Sequence, residues 1–253
     1  MSKISDVFKT TKPLIAFIMA GDPSLAATEK LALEIDRAGA DILEIGIPFS
    51  DSVADGPTIV NAAARAIKNG TSAASVFMLV KIIRQKTDIP IIFMTSYNIL
   101  TAYGLKKFVD ASSSAGVNGF IIPDLPIEES PRLAEFTRGK HIDLIFLLAP
   151  NSSQSRIKAI AKASTGFIYL MSITGITGVR KNFSGSIKKT ISNIRRFTNK
   201  PIAIGFGISN PEQAKDAAKI GDGVIVGSAI VKQASKSIKG AGKLVKNLKK
   251  AIS

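Results

Sequence analysis

Glu44 lies inside the apolar run Asp41-Ile-Leu-Glu-Ile-Gly-Ile47, and the stretch that follows, Pro48 to Pro57, carries Asp51 and Asp55. A carboxyl group among apolar neighbours is costly to ionise, so its pKa rises toward neutrality, which suits a group that must both give and take a proton near pH 7. The structural alternative is an acid paired with a nearby Arg or Lys, but the chain's apolar runs contain neither. Asp51 could equally cap the helix after it. Asp55 precedes Gly56-Pro57, where the chain turns back, and is the better candidate for a second carboxylate.

What is missing narrows the chemistry further. The chain has no cysteine and a single histidine, His141, which excludes disulfides, thiolate nucleophiles and metal sites built from clusters of His and Cys. No lysine stands at the end of an apolar run to form a Schiff base. An enzyme limited to carboxylates, hydroxyls and backbone amides can break a carbon–carbon bond only if the substrate holds its own electron sink. An indole ring protonated at C3 would be such a sink.

Eight apolar runs must position these groups: 14–20, 41–47, 89–95, 119–125, 143–149, 166–172, 201–207 and 223–228. They alternate with helix-length segments such as 24–38, 103–116, 128–139, 153–163 and 186–197, a pattern of parallel strands covered on their outer side. Eight such units predict a (β/α)8 TIM barrel, with residues 1–253 as a single domain. A doubly wound sheet would carry GxGxxG after its first strand, and AGDP stands there instead.

In a barrel the C-terminal strand ends carry function. Alternation puts Ile42, Glu44 and Gly46 on one face of the second strand. The last three strand ends are rich in small residues, Gly175-Ile-Thr-Gly178, Gly205-Phe-Gly207 and Gly227-Ser228, and together they predict a site for an organic phosphate. Tyr169, near the mouth on the sixth strand, is either a core residue or a hydroxyl within reach of Glu44. His141 falls at the bottom of the barrel, away from any chemistry.

The net charge is +15, with 34 basic and 19 acidic residues. Lys232, Lys236, Lys239, Lys243, Lys246, Lys249 and Lys250 follow the last acid, Asp222, in a segment with helical apolar spacing, which predicts one amphipathic C-terminal helix with a solvated basic face. No aromatic residue is interleaved to stack bases, so no nucleic-acid partner is expected. The longest apolar run near the N-terminus, Leu14–Ala20, is too short to span a membrane and lacks a cleavage-like region, so a cytoplasmic protein is expected.

The stretches AGDP (20–23), LEIGIPFSDSVADGPTI (43–59), PDLPIEES (123–130), YLMSITGITG (169–178), GFGIS (205–209) and GSAIV (227–231) together resemble the tryptophan synthase alpha chain family along nearly the whole barrel. The resemblance implies a lyase that cleaves indole-3-glycerol phosphate to indole and D-glyceraldehyde 3-phosphate. It also implies passage of indole to a beta chain within an αββα heterotetramer, with PLP in that partner and neither cofactor nor metal in this chain. By position, Glu44 matches the family's general acid/base and Asp55 the carboxylate on the indole N–H, with Tyr169 the active-site tyrosine. Phe17 and Thr177 match the indole pocket and the lid, and Gly178, Phe206, Gly207, Gly227 and Ser228 the phosphate turns. Pro48, Asp51 and Asp124 fall where the family meets its partner. The chain departs from the pattern at Ser52-Val53, where Pro-Leu is usual, and at Ile99, where proline is frequent.

Overall fold

The computed structural model of the chain describes residues 2–50, 55–171, 180–205 and 207–253, with the side chains of 180–186 outside that description. In chain order the elements are α1 Lys3–Thr10, β1 Leu14–Met19, α2 Leu25–Arg37, β2 Ile42–Gly46, α3 Pro57–Lys68, α4 Ala73–Arg84 and β3 Ile91–Met94. Next come α5 Tyr97–Tyr103, α6 Leu105–Ala115, β4 Gly119–Ile121, α7 Ser130–Thr137, β5 Asp143–Leu148, α8 Gln154–Ala163 and β6 Ile168–Met171. The chain ends with α9 Arg180–Arg195, β7 Ile202–Gly205, α10 Pro211–Ile220, β8 Gly223–Val226, α11 Ser228–Ala234 and α12 Ile238–Ile252.

Each strand pairs in parallel with the next, and β8 returns to β1 through Leu14 and Val224, so the expected (β/α)8 barrel closes. Polar caps fix many helix starts: Ser24, Ser96, Ser153 and Asn210 each accept a backbone N–H from the first turn, and Ser72 and Ser75 cap α4 reciprocally. Alternation along the strands divides the apolar residues into two cores. Leu43, Ile45 and Phe93 pack outward under the helices, while Ile15, Ile42, Ile92, Ile121 and Ile145 fill the barrel.

Several elements differ from the sequence reading. The segment before β1 forms α1, whose Ile4 and Phe8 reach the inner core from below; the Phe8 and Phe167 rings lie 5.3 Å apart. The chain turns at Gly104, so the expected helix over 103–116 begins only at Leu105, with α5 before it. The basic C-terminal segment is two helices, not one, because the chain breaks at Ser235–Ser237 and Ser237 caps α12. Lys232 and Lys236 therefore lie outside the face formed by the later lysines. Lys249, at the foot of α12, is not merely solvated: its ammonium donates to both carboxylate oxygens of Asp41, at 3.0 and 2.7 Å, and ties the last helix to the base of β2.

Candidate active site

The register of the strands places Glu44 between Phe17 on β1 and Ile92 on β3, all three facing the barrel interior. Its side chain is buried, and among the described residues its Oε2 has no hydrogen-bond partner. Desolvation, reinforced by the negative charge of Asp55, raises its pKa from 4.5 to about 8. At neutral pH the group is therefore mostly protonated and can donate.

Asp55 stands just before α3, whose first residue is Pro57, and both acids line one cavity at the C-terminal mouth. The cavity takes up about 730 Å³ with its open mouth included. Phe17 and Tyr169 form aromatic walls, and Ile59, Met94 and Ile225 complete the apolar lining. Burial and the charges of Glu44 and Asp55 push the Tyr169 hydroxyl well above its ordinary pKa, so it remains a hydrogen-bond donor throughout the working range.

Two glycines make room for the aromatic walls. A Cβ on Gly46 would come within 2.8 Å of the Phe17 ring, and one on Gly205 would overlap the Tyr169 hydroxyl oxygen. The rim over β7 and β8, between the two aromatic walls, carries Gly207, Ser209, Gly227 and Ser228. Gly227 precedes α11 without a side-chain cap, which leaves the helix's first N–H groups available to a ligand oxygen.

The structure thus brings together Glu44, Asp55, Tyr169, Phe17, Gly207, Gly227 and Ser228. Thr177, Gly178, Phe206 and Asp51 lie outside the described residues. Pro48 is buried, and neither it nor Asp124 lines the cavity. The Asp124 carboxylate serves the chain itself, accepting from the Ser96 hydroxyl at 2.6 Å and the Tyr97 N–H at 2.8 Å where α5 begins. Sequence reasoning missed Ile59, Met94, Ile225 and Ser209 as lining residues. Strand alternation pointed Met94 and Ile225 inward, and GFGIS included Ser209, but nothing singled them out. His141 falls at the base before β5, exposed, as expected.

A cavity lined by two acids, with backbone donors at its rim, on this scaffold, marks a (β/α)8-barrel enzyme working by proton transfer. The model of the tryptophan synthase alpha chain family matches residues 5–253, and the chain belongs to that family. It is 43% identical over 262 residues to the tryptophan synthase alpha chain of Citrifermentans bemidjiense, covering 100% of this chain and 98% of that one. With the alpha chain of Synechococcus elongatus it shares 44% over 259 residues, covering 100% and 97%. Among solved structures, a protein of Aquifex aeolicus superposes with a TM-score of 0.91 at 40% identity, over 99% of each chain. A chain of the tryptophan synthase α2β2 complex of Pyrococcus furiosus gives 0.86 at 34% identity, over 95% of this chain and 100% of that one.

Proposed function

We propose that this chain cleaves indole-3-glycerol phosphate to indole and D-glyceraldehyde 3-phosphate, as the alpha subunit of a tryptophan synthase. The observation that carries the reading is Glu44: a buried carboxyl, protonated at neutral pH, beside Asp55 in an aromatic-walled cavity.

The indole ring lies between Phe17 and Tyr169, with its N–H donating to Asp55. Glu44 delivers its proton to C3 of the ring, and the positive charge that develops on the ring nitrogen is stabilised by the Asp55 carboxylate. Glu44, now ionised, takes the proton of the side-chain hydroxyl next to the ring. As that C–O bond becomes a carbonyl, the carbon–carbon bond breaks and its electron pair returns to the ring nitrogen. The products are indole and the aldehyde, with the proton restored to Glu44 and no cofactor needed in this chain. The phosphate sits at the glycine rim, held by the N–H groups opening α11 and by the Ser228 hydroxyl.

The Pyrococcus furiosus neighbour is part of an α2β2 complex. By the same reading this chain docks on a PLP-containing beta chain in an αββα assembly, through the mouth side that holds Pro48 and Asp124; Asp51, matched to the same role by sequence, lies outside the described residues. Cytoplasmic residence belongs with that role.

The test is release of glyceraldehyde 3-phosphate from indole-3-glycerol phosphate by the purified chain, with and without its cognate beta chain. Slow release that accelerates with the partner is expected. No release in either case by the folded protein overturns the reading.

A further inference from the structure

The AGDP stretch resembles the family, yet no role in the reaction falls to it. Its residues meet the far end of α3 at three points. The Asp22 carboxylate, whose side chain is 8% exposed, accepts from Nε and Nη2 of Arg65, each at 2.7 Å. The Asn69 amide donates to the Pro23 carbonyl at 2.7 Å. Gly21, at φ 83°, passes so close to Thr71 that a Cβ there would overlap its hydroxyl oxygen.

At the near end of α3, Gly56 provides no side-chain cap, and the buried face of the helix consists of Ile59, Ala62, Ala63 and Ala66. Alanines let a helix come close but present few knobs against sliding, so packing alone sets its register weakly. Directional bonds at Arg65 can set it, and a rigid helix carries that setting about two turns to Pro57, two residues after Asp55.

We propose that Asp22 and Arg65 are positioning residues: their forked ion pair clamps α3 in the register that presents Asp55 to Glu44. The inference rests on the proposed reaction for its catalytic consequence, and on geometry alone for the placement of Asp55. Because Asp55's charge adds to the raised pKa of Glu44, a slipped helix lowers the pH at which Glu44 ionises.

The test compares Arg65→Met, Asp22→Asn and Arg65→Lys with a control at the barrel floor, Lys249→Met. Two readouts are taken: kcat/KM for indole-3-glycerol phosphate, and the ionisation of Glu44 in the substrate-free protein by carboxyl carbon NMR, assigned through Glu44→Gln. The Arg65 side chain is about half exposed, and near-ultraviolet circular dichroism verifies that its variants fold. Arg65→Met and Asp22→Asn are expected to lower kcat/KM by about 10- to 100-fold and to move Glu44's ionisation to lower pH. Arg65→Lys, which keeps the charge but not the fork, recovers part of both. Lys249→Met lowers Tm and moves neither readout. Unchanged Glu44 ionisation in folded Arg65→Met, or an equal shift in Lys249→Met, overturns the clamp. If the wild-type chain releases no aldehyde, the proposed function falls, and the NMR titration still decides the placement of Asp55.

Discussion

Replacing Glu44 with glutamine should change how stability depends on pH. The folded protein keeps the Glu44 proton up to about pH 8, whereas an unfolded glutamate loses it near 4.5. Between those values the unfolded chain binds fewer protons than the folded one, so stability is lost as pH rises. The loss is ~1.4 kcal/mol per pH unit, and across the whole window it reaches at most about 5 kcal/mol, a ceiling that water entering the open cavity lowers. The glutamine side chain of the variant carries no charge at any pH. The cost of burying its amide without partners, about 1–3 kcal/mol, is the same at every pH and cancels from the slope. From pH 5.5 to 7.5 the wild type should therefore lose up to about 2.7 kcal/mol relative to Glu44→Gln, which is ~5–10 °C in Tm for a chain of this size. Urea unfolding of both proteins across that range measures the difference directly. Parallel stability curves would refute the reasoning, since they would mean that Glu44 ionises in the folded protein much as it does in the unfolded chain.

The same protonation should shape catalysis: kcat/KM is expected to fall as pH rises through about 8, where Glu44 loses the proton it must donate, and a steady-state pH profile checks this. Gly205→Ala forces a methyl group against Tyr169; a stability loss of about 1–3 kcal/mol and a drop in kcat/KM of about 10-fold or more are expected, read by thermal unfolding and aldehyde release. Lys249→Met leaves the Asp41 carboxylate, whose side chain is 17% exposed, without its cation; it should cost about 2 kcal/mol, or ~4–8 °C in Tm, with kcat/KM unchanged.

Strand periodicity in the sequence grouped Glu44 with Ile42 and Gly46 on one face of β2, because alternation is a local property of the backbone, and the closed barrel makes that face the inner one. It could not say which side chains flank Glu44, since Phe17 and Ile92 arrive from other strands and their register is set by closure of the barrel. The direction of the pKa rise was therefore readable from the apolar run alone, whereas its second cause, the charge of Asp55, depends on where the chain enters the cavity ahead of α3. Loop glycines after β7 and β8 marked the rim of the cavity, where Gly207 and Gly227 stand, for the same local reason that Ser24, Ser72 and Asn210 indicate helix starts. The break of the basic segment at Ser235–Ser237 stayed hidden because the apolar spacing runs on through it, and only the packing of α12 between α2 and α10 shows where the chain must bend.

The Asp22–Arg65 contact joins residues 43 apart in the chain, and each is individually ordinary: a turn aspartate before proline and a helix arginine. What makes them informative is that the helix carrying Arg65 begins two residues after Asp55. The two acids of the proposed chemistry reach the cavity by different means, Glu44 from a strand locked into the sheet on both sides, Asp55 from just ahead of a helix with a smooth alanine face. A reaction that needs both within hydrogen-bonding reach of one indole ring is therefore only as well aligned as the less constrained of the two elements. By the proposed clamp that element is α3, whose alanine-rich buried face leaves its register to the Asp22–Arg65 pair at its far end.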